Sequence, residues 1–390
     1  MMPVWIVFGT VLYTFGWSRL FEPLRLDTIA FLAVAVVLFL GLTATVPTTP
    51  RSQQARPLDL WALAIIGVYF AGAYIINGGI PLIQIVTGGD YDIYGFGVDG
   101  LHIFMLCFTG YYGVRAWHAF LTRGGVGNLA ALAGVTAILI SIGNRSAVSF
   151  LFFACVIVFM RSRRISWRGW IGLAAAGLLF AFAFGVFGDV RLAYQIGQAT
   201  GSPGRMDAVL QLARATDGFR DSGISPSWLW SYIYFVSPLA NLNSAFAHAG
   251  GGLCGSGCEL PAVAFYDLLP DVIGVRLADL LHVADIPKSE FIVAPDLTAA
   301  TAFGSAVAGA GAIGGLLVLG WIAIVAVVSV WLLRTSPVRE EGIALLSTIV
   351  FFAFFENMVA YTSLAGQLVF PIALGVYARV RSRRHARARF

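Results

Sequence analysis

The stretch Trp228-Leu-Trp230-Ser-Tyr232-Ile-Tyr234-Phe-Val-Ser-Pro-Leu-Ala-Asn241-Leu-Asn243 decides how the chain reads. It lies in the middle of Gly188–Phe303, the one long run that is not continuously apolar. Asp189, Arg191, Arg220, His248, Glu259, Asp267, Arg276, His282 and Asp296 all fall in this run. On both sides the sequence is a series of greasy segments. A membrane protein that keeps a large polar loop on one face works at that face. The run therefore reads as the roof of a site, and the apolar helices as its mount.

Of 390 residues, 58% are hydrophobic and only 12% charged, with a mean hydropathy of +0.82. A soluble domain of this length has no use for so much apolar surface, so the bilayer is the solvent. The net charge of +5 comes from arginine, Lys288 being the only lysine. Much of it lies in turns and in the tail from Arg379 to Arg389, which suits an anionic membrane surface better than nucleic acid. Met1-Met-Pro-Val-Trp5 carries no basic residue before its apolar run and no small-residue cleavage site after it, and reads as a retained first helix.

Apolar runs occur at Pro3–Trp17, Thr28–Val46, Leu60–Ile76, Val98–Phe120, Val126–Ile142, Ala147–Met160 and Trp170–Phe187. Three more follow the roof, at Phe303–Leu333, Gly342–Phe355 and Tyr361–Val376. A span takes roughly 20 apolar residues, with its backbone satisfied within the helix. The expected fold is an all-α polytopic integral membrane protein with about ten crossings, or twelve if Trp228–His248 and Leu260–Val283 also cross. Basic loops stay in the cytoplasm. The Arg161, Arg163, Arg164 and Arg168 turn, Arg334/Arg339 and the C-terminus then lie inside, as does the N-terminus. The chain divides into helices one to seven (residues 1–187), a large outer loop (188–302), and helices eight to ten with a basic tail (303–390). Small residues four apart in Gly304-Ser-Ala-Val-Ala-Gly-Ala-Gly311 predict close helix packing.

Cys254 and Cys258 share the outer loop as Cys-Gly-Ser-Gly-Cys, and read as a small disulfide if that loop faces an oxidising compartment. Only His248 lies near enough to add to a zinc site there. Asp90-Tyr-Asp92 has the look of a metal-binding pair, but arginine can replace a metal's role, and neither metal nor cofactor is expected.

Two stretches resemble the bacterial O-antigen polymerases, more broadly the oligosaccharide repeat-unit polymerases. One is Asn77-Gly-Gly-Ile-Pro-Leu with Gly89-Asp-Tyr-Asp and Gly95-Phe-Gly-Val-Asp-Gly-Leu-His102; the other is Tyr232-Ile-Tyr-Phe-Val-Ser-Pro-Leu-Ala-Asn-Leu-Asn243. The resemblance implies a scaffold like the GT-C membrane glycosyltransferases. It also implies a reaction: polymerisation of polyprenyl (undecaprenyl) pyrophosphate-linked oligosaccharide units into a surface polysaccharide such as O-antigen, part of lipopolysaccharide, or an exopolysaccharide. The place would be the outer face of the bacterial inner membrane. The implied partners are the lipid-linked glycans, membrane lipids and a chain-length regulator, with no nucleic acid.

Such a transfer needs positive charge on a leaving pyrophosphate and a proton acceptor for the attacking hydroxyl. Arginine stays ionised and grips phosphate in a bidentate way. Arg145, at the outer end of a hairpin, and Arg191, just beyond the seventh helix, are the candidates. His102 and His248 are candidate bases, with Asp267, Asp271 and Asp296 as rivals. Trp228, Trp230, Tyr232, Tyr234, Asn241, Asn243 and Arg220 are the candidate substrate contacts, aromatic faces over sugar rings and amides to hydroxyls. An O-antigen ligase, which hands the glycan to lipid A core, is the first alternative. A lipid-linked glycan transporter is the second, though the spans carry almost no charge in their middles.

Overall fold

The computed structural model describes residues 2–44, 55, 57–86, 95–98, 100–163, 165–200, 207–250, 253–254 and 258–387. Among these the chain is all helical, with one isolated bridge between Ser18 and Ala215 and no strand. The helices of at least eleven residues are α1 (Met2–Tyr13), α2 (Leu26–Thr43), α3 (Leu60–Ile76), α4 (Leu101–Arg123), α5 (Val126–Ser141) and α6 (Arg145–Ser162). They continue with α7 (Trp167–Thr200), α8 (Pro226–His248), α9 (Asp271–Leu281), α10 (Gly304–Leu333), α11 (Arg339–Phe352) and α12 (Val369–Arg387).

Each apolar run carries a helix over most of its described residues. Among the described residues, five segments are long and apolar enough to cross a membrane: Leu26–Thr43, Leu60–Gln84, Trp167–Val186, Gly304–Leu333 and Thr362–Arg381. Met2–Tyr13, Val126–Ser141 and Ser146–Ser162 are apolar but shorter. Val34, Val37 and Leu40 on α2, Trp61, Ile65 and Val68 on α3, and Leu178 and Leu179 on α7 point away from the protein. Side chains of this size left outward on so many helices suit a lipid surround.

Two boundaries differ from expectation. α7 runs 34 residues, through Gly188 to Thr200. A drop in hydropathy marks where lipid contact ends, and Leu192-Ala-Tyr-Gln-Ile continues the helix regardless. Arg191 is therefore helical, not in a loop. α10 is broken instead of merely close-packed: Ala310 (φ −138°, ψ 24°) and Gly311 (φ 59°, ψ −151°) leave the helical region. The Gly311 conformation is open essentially to glycine alone. The break frees backbone groups, and residues flanking the cysteines take them up. Glu259 N–H donates to Gly309 O at 2.8 Å and Ile313 N–H to Leu253 O at 2.9 Å. Cys254 and Cys258, joined in a disulfide with Cα atoms 5.2 Å apart, lie between those two donors and acceptors. Discontinuous helices are tolerated at membrane depth only where such partners exist.

Packing divides into two cores. One joins α1, α2 and α8 with the 291–303 segment and the first part of α10. The other joins α3 to α6 with the second part of α10, α11 and the chain up to α12. α8 lies along α7, where glycine lets the backbones meet. A Cβ on Gly188 would fall 1.7 Å from the Trp230 indole nitrogen, and one on Gly185 1.9 Å from Ser227 O. Ser231 Oγ donates to Ala181 O at 2.5 Å across the same contact. Pro238, inside α8, has no N–H for Tyr234 O, and the Ser237 hydroxyl takes that carbonyl at 3.5 Å.

Candidate functional site

Asp267 stands on a π-helical turn, Val263–Leu268. Such turns widen the helix by one residue and recur at functional sites. The turn between α11 and α12 clamps it. Asn357 Nδ2 donates to Asp267 O at 2.7 Å, and Asp271 N–H donates to Ala360 O at 2.8 Å. Asp271 is already engaged at the first position of α9: its Oδ1 accepts from Val272 N at 2.7 Å and from Thr362 N at 3.2 Å, and also binds the Thr362 hydroxyl. Asp296 is exposed. Asp267 alone of the three is buried, at 5% exposure, and its Oδ2 has no hydrogen-bond partner among the described residues.

That burial has a chemical consequence. Desolvation first, then the neighbouring Glu356 carboxylate, push the Asp267 carboxyl up to about 7, with Asp285 adding a smaller upward push and Lys288 and the Asn357 side-chain amide pulling the other way. Lys288 Nζ bonds both Glu356 oxygens at 3.0 Å, with both side chains roughly half-exposed. Glu290, on the same single turn as Lys288, reaches His248 Nε2 at 3.4 Å. Leu268 and Pro270, on either side of the turn's end, form part of the wall of an apolar cavity of about 180 Å³ with Trp321, Val325, Ile349 and Leu368. An acid poised near neutrality, a cation–carboxylate pair beside it and an apolar chamber below are the parts that proton transfer to or from a bound hydroxyl requires.

The predicted residues fall in different places. The side chains of Arg145 and Arg191, and the whole of Asp90-Tyr-Asp92, lie outside the described residues. Arg145 is the first residue of α6, behind Asn144, whose side chain caps the helix from Ala147 N at 2.9 Å. His102 opens α4 and is set among Tyr69, Phe70 and Phe96, with Tyr69 Oη 3.2 Å from its Nδ1. It is on a different element cluster from Asp267. His248 does belong to the Asp267 neighbourhood, through Glu290. Arg220 is exposed and donates to Ala215 O at 3.3 Å.

Most of the expected glycan contacts are interior. Trp230 and Tyr232 are 6% and 3% exposed; Trp230 rests on Gly188, and Tyr232 packs on Trp17 and Phe21. Trp228 packs on Phe182 and Tyr234 on Phe184, so spacing two on a helix distributes the four rings over several neighbours instead of one platform. Asn241 donates to Leu297 O at 2.6 Å and Ala299 O at 2.7 Å and accepts from Val293 N at 2.8 Å. Asn243 accepts from Arg25 N at 2.8 Å and Thr28 Oγ1 at 3.0 Å, and donates to Pro23 O at 3.2 Å. Both amides are buried and committed to the protein, so they mount the roof and are not open to a sugar. Asn241 holds the 293–299 segment that joins Lys288 to α10.

Sequence reasoning passed over Lys288 and Glu356 as functional groups. The available signal was Lys288 itself, one lysine in a chain otherwise using arginine. It also passed over a buried charged cluster at the far end of the bundle. Arg161 bonds Glu340 at 2.8 Å, and His118 Nδ1 lies 2.9 Å from Glu341 Oε1. The histidine–glutamate approach is off the hydrogen-bonding line, so the contact is electrostatic proximity, not a directed bond. These groups sit within the last turns of α4 and α6 and the first turn of α11.

Fold and site together define a helical, membrane-embedded protein with a buried near-neutral acid near one end of its bundle. Against protein-family models, curated proteins and solved structures, no match was found.

Proposed function

We propose that the protein is a membrane glycosyltransferase that polymerises polyprenyl-pyrophosphate-linked oligosaccharide units at the outer face of the bacterial inner membrane. The observation that carries the catalytic part is the Asp267 carboxyl: buried, unpartnered at Oδ2 and near-neutral, on the polar segment that tops the bundle. The donor and polymer parts rest on the resemblance of the Asn77–His102 and Tyr232–Asn243 stretches. In this reading the Lys288–Glu356 pair parts to admit the acceptor hydroxyl to Asp267. The hydroxyl oxygen attacks the anomeric carbon, its proton passes to the Asp267 carboxylate, and the bond to the lipid pyrophosphate breaks with the electron pair leaving on phosphate. Arg145 and Arg191 neutralise that charge; Arg145 opens α6, whose N-terminal amides already favour an anion. Ten crossings with both termini inside, and the roof outside, complete the arrangement.

The test is the set of lipid-linked glycans that accumulate when the gene is deleted. Single repeat units without polymer are expected. Full-length polymer left on the carrier lipid would replace this reading with a ligase, and a normal polymer profile would reject both.

A further inference from the structure

α9 (Asp271–Leu281) is eleven residues long, about 16 Å at 1.5 Å per residue, and too short to cross a bilayer. Its buried side is fixed. Gly274 and Ala278 face the protein, and a Cβ on Gly274 would fall 1.9 Å from Phe265 O, so the helix cannot rotate without losing that contact. Both ends are bolted down, by Asp271 to Ala360 and Thr362 at the start and by Tyr266 Oη to Val283 O at 3.2 Å past the end. One flank beside that contact is thereby held outward, with Ile273 49%, Leu280 73% and Leu281 57% exposed, while Arg276 and Asp279 are exposed on the side opposite Gly274.

We infer that α9 is a membrane-surface helix, with this apolar face sunk into the boundary between lipid headgroups and acyl chains at the Asp267 end of the bundle. Lipid is the occupant because the face continues into lipid-facing surface. Tyr361, 43% exposed, adjoins the Asp271 anchor, and Pro270 meets Trp321 and Val325 of α10, whose neighbours Ile324 and Val328 point outward. Arg276, exposed at the edge of this flank, is placed to lift its guanidinium to a lipid phosphate while its stem lies on the acyl layer. The helix follows Asp267 by four residues, so it would fix the depth of the acid relative to the headgroups. The inference stands on the membrane reading alone and does not depend on glycosyl transfer.

The test is power-saturation electron paramagnetic resonance of a nitroxide at Leu280→Cys, and separately at Leu281→Cys. The protein is held in nanodiscs of phosphatidylethanolamine and phosphatidylglycerol, with Cys107→Ala and Cys155→Ala as background. Labels at Val37→Cys on α2 and Ser222→Cys on the roof give the lipid and water references. The α9 labels are expected to match Val37, with oxygen collisions exceeding those of a water-soluble nickel chelate. Nickel accessibility equal to that of Ser222 would overturn the inference, placing the face in water. Protection from both reagents would also overturn it, showing that protein covers the helix.

Discussion

Asp267 and Asn241 are both buried and polar, yet only one keeps an unmet valence, and substitutions should separate their roles. Asn241→Ala leaves two carbonyls and one N–H without partners in the interior. At about 1–3 kcal/mol for each unsatisfied group it should lower the melting temperature in detergent strongly. Asp267→Asn keeps the shape and removes the charge. The carboxyl is raised from 3.8 in the unfolded chain to about 7, so the folded state holds its proton more tightly. Stability is thus fully present below pH 4, falls as pH rises between about 4 and 7, and is level above. The loss is on the order of 4 kcal/mol at about 1.4 kcal/mol per unit. Asp267→Asn should therefore melt higher than the parent above pH 7 while losing about 10²–10⁴-fold of transfer rate, and the parent rate should climb with pH through 7. A variant that melts lower, or that keeps its rate, would remove Asp267 from catalysis. Sequence alone named Asp267 only as one of three acids, because desolvation depends on which neighbours the fold brings over it. Asn241 and Asn243 were misread for a related reason: an amide offers the same donors and acceptor to a sugar hydroxyl as to a backbone carbonyl.

Among the elements, the broken α10 departs furthest from what its sequence suggested. Its glycine stripe looks like a helix-packing motif, and Gly315 does serve that purpose, a Cβ there falling 2.9 Å from Phe31. Gly311 serves the break, at φ 59°, and nothing in the spacing of small residues distinguishes the two uses. Gly311→Ala should cost about 1–3 kcal/mol of backbone strain, measurable as a lower melting temperature, whereas Gly320→Ala, with open space at its Cβ, should be neutral or slightly stabilising. The Cys254–Cys258 bridge has its effect through the same break. Closing so small a loop contributes about 2 kcal/mol by chain entropy, too little to decide folding. Its larger effect should be local: in Cys254→Ser/Cys258→Ser the amides of Glu259 and Ile313 should exchange with deuterium faster than in the parent, with α4 and α11 unchanged. Equal exchange at those two amides would mean that the contacts at the α10 break hold without the disulfide. The helices themselves were readable in advance, since an apolar run of spanning length has few alternatives in lipid. The overrun of α7 to Thr200 was not, because helix ends and bilayer edges are set by different forces.

At the scale of the molecule the two ends differ in how they treat charge. Arg163 reaches Leu121 O at 3.4 Å, Arg161 binds Glu340, and Arg379 lies 4.6 Å over the Trp331 ring, so the ends of α4, α6 and α10, the start of α11 and the latter part of α12 gather at one basic end. At the roof end three ion pairs form: Arg19 with Asp217 at 2.6 Å, Arg25 with Asp27 at 3.0 Å, Lys288 with Glu356 at 3.0 Å. Short loops rich in arginine stay in the cytoplasm, which sets the expected orientation; Arg19 and Arg25 on the roof side are its exception. In intact cells an impermeant thiol reagent should modify Ser222→Cys and leave Ser162→Cys unmodified until the membrane is opened. Arg145→Ala should then insert and accumulate normally yet stop polymer formation, by about a hundredfold for one charge-assisted contact at a developing anion. Arg145→Lys should recover only part, since a point charge lacks the guanidinium fork. Arg163→Ala, at the basic end, should leave the rate unchanged. Modification of Ser162→Cys in sealed cells would invert the whole arrangement and place Asp267 on the cytoplasmic side. Correct labelling with a normal rate for Arg145→Ala would keep the orientation and reduce Arg145 to a headgroup anchor.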